Sequence, residues 1–390
     1  MIKSSGPPDK TTPGNIGDIY QNTDNGEIFV CKDVNHRPVR HQFIEVSAKD
    51  ANTEYVWDTP PIKFDNCAEF FKDGNRLGYL NKLDFSETTD MSSMLIRCES
   101  LTTIPQMDTS SVTTMNNTFN GCSSLTTIPP MDTSSVTNMA NMFEGCKLLT
   151  TIPQMDTSSV TNMNGMFNGC SSLTTIPQMD TSNVTSMNNM FKGCKLLTTI
   201  PQMDTSNVTS INNFFANCSS LTTIPQMDTS NISAMNNMFA NCSSLSTIPQ
   251  MDTSSVTSMS YMFSNCKSLT TIPQMEMLKV INTTSMFNNC NSLTNLDLRN
   301  IRWSIQIGLG TSWGHLLTVD SLVNTIKELV TQTSYKTLTI GTANLEKIAN
   351  LYCKIIDDTD PKKTMELCES TEEGAMTLTD YAQLKKWNIK

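Results

Sequence analysis

The sequence predicts an α/β repeat solenoid, and three regularities predict it. Nine cysteines (Cys98, Cys122, Cys146, Cys170, Cys194, Cys218, Cys242, Cys266 and Cys290) recur every 24 residues. A leucine column running from Leu101 to Leu293, and an isoleucine column running from Ile104 to Ile272 and continued by Leu296, keep the same step. A third column, immediately before each cysteine from Cys122 onward, admits only Gly (121, 145, 169, 193) or Asn (217, 241, 265, 289). Self-similarity at a fixed step of about 20 to 50 residues marks stacked coils, each too small to bury its own apolar face.

Residues 149–172, LTTIPQMDTSSVTNMNGMFNGCSS, show how one coil is built. Leu149, Thr150, Thr151 and Ile152 favour a strand. Pro153 follows and has no N–H to give to a ladder, so the strand is predicted to be short and to turn there. Asp156, Thr157 and Ser158 read as a helix N-cap. Val160, Met163, Phe167 and Cys170, spaced by three, four and three, then form one face of a short helix. The Gly/Asn column suits the left-handed backbone just past the end of that helix.

The array occupies about residues 61–298. A small β-rich module is predicted for residues 1–60 and a mixed α/β cap for residues 299–390. Phe71, Leu77, Leu80, Asp84 and Met91 lie 24 residues before Leu95, Leu101, Ile104, Asp108 and Met115, and mark a diverged first coil. In the N-terminal module, two β-rich runs flank the turn sequence NTDNG at 22–26, which predicts a hairpin. The C-terminal segment reads as a helix, a strand near 337–341 and a helix over 343–351. Trp303 and Trp313 are expected to cover the open end of the core.

The net charge of −10, without a basic stripe, argues against nucleic acid as a partner. No run approaches the roughly 20 apolar residues of a membrane span. The first residues lack an apolar signal-peptide core, so export by the general secretory route is not expected. Thirteen Cys, with nine in one column among Met and Phe, read as reduced core thiols rather than a disulfide or metal ladder. Of the 26 Met, 23 fall between Met91 and Met286, which makes them core filler of the repeats.

The Asp column (Asp108, Asp132, Asp156, Asp180, Asp204, Asp228, Asp252) is weighed as a calcium edge or as turn capping, and capping is the simpler reading. No metal or other cofactor is expected. The only histidines are His36, His41 and His315, and there is no P-loop, no G-x-S-x-G and no zinc spacing. An enzyme is therefore not expected. The candidate binding face is the neutral polar strip exemplified by Thr102, Thr103, Gln106, Thr150, Thr151, Gln154, Thr198, Thr199 and Gln202.

The string MDTSxVTxMxxMFxxCxxL, seen from Met179 to Leu197, resembles the BspA-like leucine-rich repeat, also called the mycoplasma lipoprotein-type repeat. The resemblance covers about residues 77–301, and the segment at 293–300 follows the leucine-rich-repeat strand rule. It implies a noncatalytic surface or structural protein. The run GNIGDIY at 14–20 and the DNGEIFVC at 24–31 are similar to a module of bacteriophage fibres, and the segment at 317–341 is similar to one that closes phage-type arrays. These two imply a bacteriophage tail or head appendage acting in host attachment. Its expected partners are other virion proteins through the N-terminal module, a bacterial surface protein or polysaccharide, and, by analogy with fibres, two further copies in a homotrimer. The alternative is a bacterial cell-surface adhesin or protein-interaction scaffold.

Overall fold

A computed structural model describes residues 83–299 without interruption and, outside that span, the backbone of short strands. Strands β1 (Ile2–Ser4), β2 (Ile19–Asn22), β3 (Ile28–Asp33) and β4 (His41–Val46) form one four-stranded sheet. β2 and β3 are antiparallel, with Tyr20 opposite Phe29, so the hairpin read from NTDNG is present. β5 (Ile62–Lys63) and β6 (Leu83–Asp84) pair in parallel at the head of the array. β7 (Thr271–Glu276) and β8 (Asn295–Arg299) pair in parallel at its tail. Beyond it lie β9 (Gly308–Leu309), β10 (Lys336–Ile340), β11 (Tyr352–Ile355), β12 (Met365–Cys368), β13 (Met376–Thr377) and β14 (Trp387–Ile389). The predicted strand near 337–341 is β10. The two helices expected beside it, most of the first coil, Trp303 and Trp313 lie outside the described residues.

Between β6 and β8 the chain is a stack of coils around one continuous apolar core. Eight phenylalanines, from Phe119 to Phe287, stack ring on ring at 5.5–5.9 Å with interplanar angles of 2–12°. The Leu, Ile, Val, Met and Cys columns fill the space beside them and are buried throughout. Each column meets its own kind in the next coil, so a coil is stable only against its neighbours.

The helix predicted for each coil does not form. Among the described residues there is no helix: the segment is a run of overlapping turns. In one coil, Met142 N–H donates to Met139 O (3.2 Å), Glu144 N–H to Asn141 O (3.1 Å) and Cys146 N–H to Phe143 O (3.0 Å). The intervening donors turn outward along the stack. Met139 N–H bonds Asn162 O (3.0 Å), Asn141 N–H Asn164 O (2.7 Å), Phe143 N–H Met166 O (2.9 Å) and Gly145 N–H Asn168 O (2.7 Å). Linked turns of this kind point side chains inward at the same three- and four-residue steps as a helix, which is why the spacing misleads.

Two left-handed columns exclude the helix. The Gly/Asn column has positive φ as expected, from +58° at Asn289 to +78° at Gly121. A second column four residues upstream is also left-handed: Asn117 (+57°), Asn141 (+54°), Gly165 (+59°), Asn189 (+60°), Asn213 (+57°) and Asn237 (+55°), then Tyr261 (+56°) and Ser285 (+51°). A left-handed residue in mid-segment ends any right-handed helix. The column was legible as another Asn/Gly run.

The predicted strand is also reduced. In the central coils the segment from Leu to Met keeps one inter-coil backbone bond, as from Thr222 N–H to Thr198 O (3.1 Å), and no continuous ladder. In residues 199–204 no backbone N–H bonds a backbone carbonyl. β7 and β8 do pair, and their register shifts between Ile272 and Met275, around Pro273. A proline that cannot donate accounts for that bulge.

The nine column cysteines are free and buried. From Cys122 on, each thiol donates to a carbonyl of the preceding coil, as Cys218 Sγ does to Phe191 O (2.9 Å) and Cys170 Sγ to Phe143 O (3.0 Å). Burial pushes the Cys146, Cys218 and Cys290 thiols up to about 12. Thiolate, the reactive form, is therefore scarce at neutral pH. Native protein treated with a maleimide and mapped by peptide mass should carry no label at these nine positions, whereas denatured protein should carry it at all nine. Native labelling at any of Cys146, Cys170, Cys194 or Cys218 would contradict this burial.

Candidate binding face

In six of the eight coils between Leu101 and Met275 the sequence L-T-T-I-P-Q-M lays out a strip in which Leu, Ile and Met face the core and two Thr and the Gln face out, the other two carrying Pro130 and Ser246. Thr102, Thr103, Gln106, Thr150, Thr151, Gln154, Thr198, Thr199 and Gln202 are all exposed. The 24-residue step puts the three sets on one strip, two coils apart, with equivalent residues of the intervening coils between them.

Their hydrogen bonds sort them. The Gln amides are committed to the stack: Gln106 Nε2 donates to Pro130 O (2.7 Å), Gln154 Nε2 to Gln178 O (2.8 Å) and Gln202 Nε2 to Gln226 O (2.7 Å). The carbonyls of Thr102, Thr150 and Thr198 are likewise used. Each accepts both the N–H and the hydroxyl of the Thr one coil on, as in Thr126 N to Thr102 O (3.0 Å) and Thr126 Oγ1 to Thr102 O (3.1 Å). The next column differs. The hydroxyls of Thr103 and Thr151 bond no other group among the described residues, and that of Thr199 makes one long contact with the adjoining Ile200 O (3.4 Å).

The strip is electrically blank. From residue 102 to residue 274, the five positions T-T-I-P-Q carry no charged residue in any coil. Along its border runs the Asp column. Each carboxylate accepts the N–H and, in all but the last coil, the hydroxyl of the Ser two residues on, as Asp204 does from Ser206 N (2.9 Å) and Ser206 Oγ (2.6 Å). The motif extends to Asp84, which accepts Ser86 N–H (2.9 Å). So the aspartates cap turns, not helices.

Behind them lies a buried threonine column that the N-cap reading hid. Thr109, Thr133, Thr157, Thr181, Thr205, Thr229 and Thr253 are at most 2% exposed. Each donates to a main-chain oxygen of the following coil, as Thr205 Oγ1 does to Asp228 O (2.7 Å). Side chains therefore join the coils where the backbone ladder is missing. A cleft of about 400 Å³ opens there, lined by Gln202, Met203, Asp204, Thr205, Gln226, Met227 and Asp228.

The serine hydrogen bonds hold all seven Asp carboxyls below their ordinary value of 3.8, outweighing repulsion where neighbouring carboxylates oppose it. A depressed folded value stabilises the fold fully above the unfolded value and ceases to do so as pH falls through the folded one. Melting temperature should therefore be level above about pH 5 and decline below about pH 4. Replacing Ser158, Ser182 and Ser206 by Ala should flatten that decline. An acid limb unchanged in the triple variant would show that the column does not contribute to it.

Chemically the strip can hold a ligand by hydroxyls, methyls and proline rings. No His lies between residues 84 and 299. Among the described residues no three His, Cys, Asp or Glu side chains are placed to hold a metal ion, and no helix is long and apolar enough to cross a membrane.

The repeat model described as "Mycoplasma protein of unknown function, DUF285" matches residues 63–150, 126–223, 148–246 and 221–306. Together these spans cover more than half of the 390 residues. The chain belongs to the DUF285 family. The match bears out the resemblance to the mycoplasma-type repeat. No curated protein matches the chain. Among solved structures, a leucine-rich cell surface protein from Faecalibacterium prausnitzii is 18% identical, with a TM-score of 0.32 over 72% of this chain and 94% of that one. TLR13 in complex with a single-stranded RNA is 13% identical, with a TM-score of 0.27 over 68% of this chain and 40% of that one. The plant peptide hormone receptor RGFR1, in complex with RGF2, is 11% identical, with a TM-score of 0.25 over 67% and 50%. The DUF285 repeats thus account for the array, and the family description assigns them no activity.

Proposed function

We propose that the array is a noncatalytic binding scaffold that acts at a bacterial cell surface as an adhesin-like module, with the Thr strip as its contact face. The observation that carries this reading is the column of Thr103, Thr127, Thr151, Thr175, Thr199, Thr223, Thr247 and Thr271. It keeps one residue in all eight coils, although internal packing does not require its hydroxyls. A largely exposed column elsewhere drifts: the one containing Ser159 reads Ser, Ser, Ser, Asn, Asn, Asn, Ser, Lys. An outward residue that does not drift, on an extended repeat surface, fits a docking role. The mycoplasma-type family match agrees with a surface scaffold. The bacteriophage-appendage reading rested on flanking segments that lie largely outside the described residues, and no comparison supports it.

The test is binding of the purified chain to a panel of immobilised extracellular proteins and neutral polysaccharides, followed by biolayer interferometry. At least one surface should bind. Thr151→Lys, Thr175→Lys and Thr199→Lys together should weaken that binding at least tenfold, while Leu148→Lys with Leu196→Lys, exposed elsewhere on the coil, should leave it unchanged. Equal loss in both variants, or no binding by the parent chain, would overturn the proposal.

A further inference from the structure

The left-handed column divides the array into two halves of different construction. In the first, Gly121, Gly145, Gly169 and Gly193 occupy it. In the second, Asn217, Asn241, Asn265 and Asn289 occupy it, and their side chains form a ladder. Asn241 Nδ2 donates to Asn217 Oδ1 (2.8 Å), Asn265 Nδ2 to Asn241 Oδ1 (2.8 Å) and Asn289 Nδ2 to Asn265 Oδ1 (2.8 Å). Glycine has the most backbone freedom to lose on folding and contributes no such bond. Other strains balance: each half holds two left-handed residues that are neither Gly nor Asn, namely Ser93 and Arg97 in the first, Tyr261 and Ser285 in the second.

We infer that the array opens directionally: the half built on glycine, up to Gly193, unfolds as a unit before the half fastened by the asparagine ladder. In a one-dimensional stack, stability is a sum of coil terms and nearest-neighbour terms, so a uniform difference per coil accumulates across each half. Sub-global opening of contiguous units is the form that such a difference takes. The consequence for function rests on the reading above. Thr102, Thr103, Gln106, Thr150, Thr151 and Gln154 lie in coils whose left-handed position is glycine, so this part of the contact face belongs to the more compliant half.

The two halves contain a matched pair of reporters. Gly145 N–H bonds Asn168 O and Asn241 N–H bonds Ser264 O, both at 2.7 Å. Phe143 N–H bonds Met166 O and Phe239 N–H bonds Met262 O, both at 2.9 Å. Local hydrogen-bond geometry is therefore the same, and any difference in exchange reports the opening of the half.

The experiment is native-state hydrogen exchange of the full chain, read by mass spectrometry in low urea and corrected for intrinsic rates. Amides around Phe143 and Gly145 should exchange at least tenfold faster than those around Phe239 and Asn241. Gly145→Asn, Gly169→Asn and Gly193→Asn together should remove the difference. A Cβ at these positions lies at ordinary contact distance, 3.4 Å or more, from its neighbours. The reverse variant, Asn241→Gly with Asn265→Gly, should speed exchange around Phe239 at least tenfold and serves if the triple variant folds poorly. Equal protection of the two halves in the parent chain, or slower exchange in the first, would overturn the inference. No ligand is involved, so this outcome is independent of whether the strip binds anything.

Discussion

Phe191→Ala should destabilise the array by about 3–5 kcal/mol, the usual loss for truncating a buried aromatic ring. Phe191 stacks between Phe167 (5.7 Å) and Phe215 (5.8 Å) and meets the edge of Phe214 (5.3 Å). Its backbone also stays in use, because Phe191 O accepts the Cys218 thiol at 2.9 Å. The cavity would sit in mid-stack, where contacts pass only from coil to neighbouring coil. The expected signature in urea, followed by circular dichroism, is a lower first midpoint and a split transition. Phe191→Leu should cost far less, since Leu95 already heads the same column and is fully buried there. An unchanged single transition in the alanine variant would show that the phenylalanine column does not couple the coils.

Thr205→Val should cost about 1–3 kcal/mol, although it preserves shape and burial, because it leaves the Asp228 carbonyl without its donor. Thr205 is 1% exposed, so water cannot readily replace the hydroxyl at its 2.7 Å bond. Thr205→Ser keeps that bond and should recover most of the loss in the same denaturation experiment. If valine and serine behaved alike, packing rather than the hydrogen bond would account for the column.

These two residues mark what could and could not be read from the chain alone. The Phe191 column was legible because burial follows apolarity, and large apolar residues recurring every 24 positions must share one stacked interior. The left-handed Gly/Asn column was legible for an equally direct reason, since backbone sterics restrict it to few residue types. Thr205 was not legible. Asp-Thr-Ser ahead of an apolar run is the usual start of a helix, and nothing local distinguishes a cap from a buried rung of an inter-coil ladder. The helix itself failed on Asn141, Gly165 and Asn189: inward spacing is shared by linked turns, and what tells the two apart is the Asn/Gly run that carries positive φ at those positions. On the face, exposure of Gln154 and Thr151 followed from alternation. Their different roles depended on where a side chain reaches in the next coil, a relation of 24 residues that no local pattern encodes.

Because every column repeats by the same translation, the length of this protein is quantised. Removing residues 171–194, one period of 24, would bring phenylalanine back onto phenylalanine, threonine onto carbonyl and cysteine onto cysteine. Removing one residue fewer would set each of those partners against a stranger in every coil on the far side of the cut. A gene encoding such a chain can therefore lengthen or shorten its product in whole coils without inventing a new interior, so that reach becomes a trait inherited separately from fold.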